Sequence, residues 1–114
     1  MTTIRVYRKA GVVSGIEISG HSGYASEGED IVCAAVTSAV RYAEVLLNDV
    51  LDADIKFRVD SESAFLSFFD LYPSPDDGET SARAAVLEGF ARYMKQLSVE
   101  YPDYIKVMEV QQNA

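Results

Sequence analysis

From Thr3 to Lys9 the chain sets Ile4 and Val6 against Arg5 and Tyr7, and from Val12 to Ser19 it sets Ile16 and Ile18 against Glu17 and Ser19. A period of two is that of half-buried strands, and the Ala10-Gly11 junction between them predicts a hairpin. Between Ile31 and about Leu51 the period changes. Val32, Ala35, Val36, Ala39, Val40, Ala43, Leu47 and Val50 recur at intervals of three and four, the stripe of a helix that faces a core. Alternation returns from Ile55 to Val59, and Ala64 to Leu71, AFLSFFDL, is apolar on both faces, as expected of a central strand. The link Asp60 to Ser63 makes these two a second hairpin.

Tyr72 to Glu79, YPSPDDGE, carries two prolines, a glycine and three acids and predicts an exposed loop. Thr80 or Ser81 then caps a second helix with Ala82, Val86, Phe90, Tyr93, Met94 and Leu97 on its buried face, and Pro102 stops it. Tyr104 to Val110 reads as a last strand and QQNA as a frayed tail. The order strand-strand-helix-strand-strand-helix-strand argues an α+β fold: one compact domain over residues 1–114, with a mixed sheet and two main helices.

Composition narrows the function classes. At 48% apolar and 25% charged residues the chain reads as soluble and globular. No apolar run suggests a membrane span, the first residues lack the marks of a signal peptide, and the expected location is the cytoplasm. Ten Lys and Arg against eighteen Asp and Glu leave a net charge of −8, which repels nucleic acid and attracts a basic protein partner. One cysteine and one histidine cannot fill a structural zinc site without several carboxylates, so neither metal nor cofactor is expected.

Those two scarce residues stand close together in GHSGYASEGEDIVCAA, Gly20 to Ala35. A connection of about eleven residues between strand and helix is long for so small a domain, and Gly20, Gly23 and Gly28 would let a loop at about 20–30 move as a lid. Asp30 is placed to cap the helix, which puts Cys33 in the first turn, where unpaired amides and the helix dipole favour a thiolate. A cysteine beside Ala34, Ala35 and Val36 also suits a small buried hydrophobe. His21, at a strand end, could deliver an imidazole as general base and acid, with amides at the helix start, including that of Cys33, as an oxyanion hole. Asp30 could alternatively orient His21; Glu27 and Glu29 are also near in sequence.

GHSGYA followed by GEDIVCAAVT resembles the ribosomal-processing cysteine protease family, Prp, and the likeness extends over the whole chain. The resemblance implies an endopeptidase with His21 as base, Cys33 as nucleophile and Asp30 as the motif's acid. Gly20, Ser22, Gly23, Tyr24 and Thr37 would bind substrate, Thr37 standing where the family usually has Ser. It further implies a homodimer, and as substrate the basic bacterial large-subunit ribosomal protein numbered 27, whose N-terminal extension is removed near a pair of aromatic residues. Phe65, Phe68, Phe69, Tyr72 and Tyr24 are candidates for an apolar groove to receive them, although core packing claims most such residues. The non-enzymatic alternative is an acidic assembly factor that shields a basic ribosomal protein without cutting it.

Overall fold

The chain reverses at Ala10 and Gly11, both in the left-handed region at φ 52° and 81°, and so pairs β1 (Thr2–Lys9) with β2 (Val12–Ser19). A two-residue turn with both positions at positive φ matches the twist of the strands it joins. The computed structural model describes residues 1–20, 27–70 and 77–112, with the backbone only at 27–30 and 77–81. After β2 come α1 (Glu27–Glu44), continued by a π-helical turn (Val45–Val50), then β3 (Phe57–Asp60), β4 (Phe65–Phe69), α2 (Asp77–Glu100) and β5 (Ile105–Gln112). The five strands lie in the order β3-β4-β2-β1-β5, parallel between β1 and β5 and antiparallel elsewhere, which is the α+β fold with a mixed sheet that the periodicities predict.

Both helices lie on one face of the sheet. Ile4, Val6, Ile16, Ile18 and Phe68 are buried from the sheet, against Val32, Val36, Val40, Ala43 and Leu47 of the first helix and Leu87, Phe90, Ala91, Met94 and Leu97 of the second. Phe68 is the hub, stacked on Phe57 at 4.5 Å and met edge-on by Phe90 at 5.4 Å. It therefore belongs to the core, not to a substrate groove. Phe69 lies on the opposite face, where its ring covers Gly15 so closely that a Cβ there would come within 2.0 Å.

Several expected boundaries move. Helix α1 begins at Glu27, four residues before Ile31, so Asp30 lies inside it and is not its cap. Acids in the first turn are favoured by the positive end of the helix dipole, a signal that Gly28 conceals. Likewise α2 begins at Asp77, ahead of Thr80 and Ser81. Gln111 and Gln112, expected to fray, pair with Arg8 and Lys9. Ile55 falls outside β3 because Asn48 takes its backbone: the Asn48 amide donates to the Ile55 carbonyl at 2.9 Å and accepts its N–H at 2.8 Å. Tyr93 and Val50, expected on buried faces, are 45% and 63% exposed, whereas Arg83 is buried and ion-paired to Asp70 at 3.6 Å. The run Ile31–Val50, with mean hydropathy 1.4, is long and apolar enough to cross a membrane, contrary to expectation; its buried stripe is the one packed on the sheet.

The end of the sheet away from the first helix's start is tied to α2 by charge. Arg8 donates to Glu88 at 2.8 Å and to Glu109 at 2.8 Å, and Lys95 also pairs with Glu109. The Arg8 hydrogen bond holds the Glu88 carboxyl at about 2. At Glu109 burial pushes upward, but the bonds from Arg8 and Lys95 outweigh it and the net shift is downward. A carboxyl depressed in the folded state stabilises the fold above its ordinary pKa of 4.5 and loses that contribution as pH falls toward about 2. Glu88→Gln should therefore cost about 1 kcal/mol at neutral pH and nearly nothing at pH 2, read from urea midpoints along a pH series; an equal loss at both would contradict the pairing.

Candidate active site

The sheet end where β1 starts and β2 stops is also where α1 rises. Gly20, directly after β2, takes φ +83°, and a Cβ there would stand 2.3 Å from the Met1 carbonyl oxygen. Only glycine fits this close approach, so Gly20 has a backbone role: it sets the direction in which the chain leaves the sheet toward His21. His21, Ser22, Gly23 and Tyr24 lie outside the described residues, as does most of the expected loop; its last part, 27–30, is helical.

Cys33 is the seventh residue of α1, past the first turn. Two expectations change with it. The dipole effect falls off within the first turn, and the Cys33 amide belongs to the helix's own hydrogen-bond ladder, so it is not an open oxyanion donor. The side chain is half-buried and borders two cavities. The larger, about 550 Å³, is a groove between α1 and the β3–β4 hairpin, with walls from Val36, Val40, Phe57, Val59, Phe65 and Leu66. The other is a shallower recess along the outer side of α1 formed by Cys33, Ala34, Thr37, Ser38 and Arg41.

The geometry follows from helix spacing. Val32, Val36 and Val40 at every fourth position are buried against the sheet, so Cys33, Thr37 and Arg41, one residue on in each case, run along the rim. Glu44, Asp60 and Ser61 add polar groups at the mouth of the groove. The Asp60 carboxylate accepts the amides of Glu62 and Ser63 at 3.1 and 3.3 Å, and the Ser63 bond leads in holding it below the usual carboxylate range. Of the aromatic candidates, Phe65 reaches the groove, Phe68 and Phe69 do not, and Tyr24 and Tyr72 lie outside the described residues. Phe57, Val59, Leu66 and Arg41 were not anticipated; the alternation of β3 was the available signal for the first two, since it puts both on the face toward α1. Among the described residues no group of three or more His, Cys, Asp or Glu could hold a metal ion.

A thiol at the end of an apolar, peptide-sized groove is an arrangement suited to attack on a bound carbonyl, and comparison with known proteins gives the class. Residues 1–106 match the family model of a cysteine protease. The family is the cysteine protease Prp, and the chain belongs to it. A curated relative, the ribosomal processing cysteine protease Prp of Bacillus subtilis, is 27% identical over 106 residues, 92% of either chain. The fold is shared with SMU.848 from Streptococcus mutans, TM-score 0.86 at 21% identity over 98% of this chain and 96% of that one. It is shared also with the essential ribosomal processing protease Prp from S. aureus in complex with a substrate peptide, TM-score 0.81 at 15% identity over 96% of this chain and all of that one.

The two left-handed glycines test the role given to Gly20. Gly11 meets nothing within 4 Å, so alanine there meets only the unfavourable φ, whereas at Gly20 it also strikes the Met1 carbonyl. Gly20→Ala should lower stability by about 2–3 kcal/mol and Gly11→Ala by about 1, measured by urea unfolding. Equal losses would remove the close approach as the reason for glycine.

Proposed function

We propose that this protease removes the N-terminal extension of the bacterial large-subunit ribosomal protein 27, with Cys33 as nucleophile and His21 as general base and acid. The observation that carries the reading is the half-buried thiol of Cys33 at the head of a groove with walls of Val, Phe and Leu side chains. Such a groove suits the apolar or aromatic residues of a peptide at a cleavage site. The S. aureus relative, solved with a substrate peptide and with a covalently linked product peptide, supports the same assignment. The net charge of −8 suits a basic ribosomal partner and speeds its encounter.

In this mechanism His21 takes the Cys33 proton as the sulfur attacks the scissile carbonyl carbon, and a tetrahedral oxyanion forms. The carbonyl reforms as the C–N bond breaks, His21 returns the proton to the departing amine, and the N-terminal part of the substrate stays on Cys33 as a thioester. Water, deprotonated by His21, then hydrolyses that thioester, releasing a carboxylate and restoring the thiol. Asp30 is the orienting acid for His21. Its position inside α1 supports this, because the capping job that competed for it is gone and it stands three residues before Cys33 on the same side of the helix. In this reading Gly20, Ser22, Gly23 and Tyr24 are assigned to substrate binding by the family motif, and the exposed Thr37, one turn beyond Cys33, offers a hydroxyl to the bound peptide.

The working unit in this reading is a cytoplasmic homodimer. Its support is an apolar trough of about 680 Å³ between α1 and α2, bordered by Ala39, Tyr42, Leu46, Val86 and Tyr93, that a lone chain leaves open to water.

Incubation with the extended ribosomal protein, followed by intact mass spectrometry, tests the proposal. The parent should shorten the partner, and Cys33→Ala should leave its mass unchanged. His21→Ala should lose turnover by at least a hundredfold while retaining peptide binding, because it removes a proton carrier and little contact area. Cleavage by Cys33→Ala at the parent's rate would end the reading. A salt-sensitive complex with no change of mass would point instead to the non-enzymatic assembly factor.

A further inference from the structure

Arg41 stands eight residues beyond Cys33 on α1, with Thr37 midway between them. At 1.5 Å per residue this is about 12 Å along the helix axis. An extended peptide advances about 3.3 Å per residue, so a substrate lying along α1 with its scissile carbonyl at Cys33 brings a side chain three or four positions away beside Arg41.

Arg41 borders both the groove and the recess that open on Cys33, and its side chain is exposed. Among the described residues no carboxylate pairs with it. The two nearest acids of the groove leave it available: Glu44 makes no ion pair with it, and Asp60 is occupied by the amides of Glu62 and Ser63. A cation held open at this point runs against the overall charge of −8, which otherwise draws basic chains to the surface.

On the reading that Cys33 cuts a peptide held in this groove, we propose that Arg41 is a specificity-determining residue that receives an acidic side chain three or four positions from the scissile bond. The planar guanidinium matches a carboxylate in two parallel hydrogen bonds. It also repels a Lys or Arg brought to the same position, so a basic substrate drawn in by the global field can lie in one register only.

The test uses peptides identical except for Glu, Gln or Lys at the third, fourth or fifth residue on either side of the cleaved bond. At one of these positions Glu should give the parent a KM about tenfold below that for Lys, with kcat nearly unchanged. Arg41→Lys should keep the preference and Arg41→Glu should reverse it, with thermal melts confirming that both variants fold. Indifference of the parent to charge at all six positions, or a preference that survives Arg41→Glu, would overturn the proposal and leave proteolysis standing. If the parent cuts no peptide, the protease reading fails, and fluorescence anisotropy of the same peptides on Cys33→Ala with and without Arg41→Glu still decides the role of Arg41: reversal supports it and no reversal ends it.

Discussion

The packing of one stripe of α1 on the sheet decides where everything else at the site can stand. Val32, Val36, Val40, Ala43 and Leu47 are all buried against Ile4, Ile16, Ile18 and Phe68. Each of the larger members is worth about 1.5–3 kcal/mol when buried, against at most about 1 kcal/mol for any local helix preference. Rotating the helix to bury Cys33 would bring valines into water. The thiol is thus held at the rim because its neighbours one residue earlier are held in the core, and the groove exists because α1 stops short of covering Phe57 and Val59 on the edge strand.

The elements that periodicity made plain were those with one buried face. β1, β2 and the middle of α1 could be read because their apolar residues repeat without interruption, and their pairing in the structure follows that pattern. The ends were less legible. The acids of Glu27 to Asp30 resemble a polar loop until the helix dipole is given its weight, and Gly28 masks the start. Ile55 looks like a strand residue, yet a side chain, Asn48, satisfies its backbone. Arg83 carries no sequence mark of burial at all; its place is set by Asp70 and by the Ala53 carbonyl, from distant parts of the chain.

At the site, Gly20 and Cys33 stood out because of what they are: a glycine at a strand end and the single cysteine. The walls did not. Phe57, Leu66 and Arg41 come from an edge strand, its neighbour and a position about one helical turn beyond the motif, and only the order β3-β4-β2 brings them to one groove. Sequence also suggested an electrostatic origin for Cys33 reactivity at a helix end. With the helix starting six residues earlier, that origin is lost, and the proposed mechanism assigns the activation of Cys33 to His21 as base.

The central claim is that Cys33 forms a covalent bond to the peptide it cuts. The most direct measurement is rapid acid quenching during turnover, followed by intact mass and fragment mapping of the protein. The account predicts an added mass equal to the N-terminal fragment of the substrate, attached at Cys33 through a thioester that hydroxylamine removes. A cleaved peptide with an unmodified protein at every quench time and no incorporation at Cys33 even when hydrolysis is slowed, or an adduct on any other residue, would contradict it.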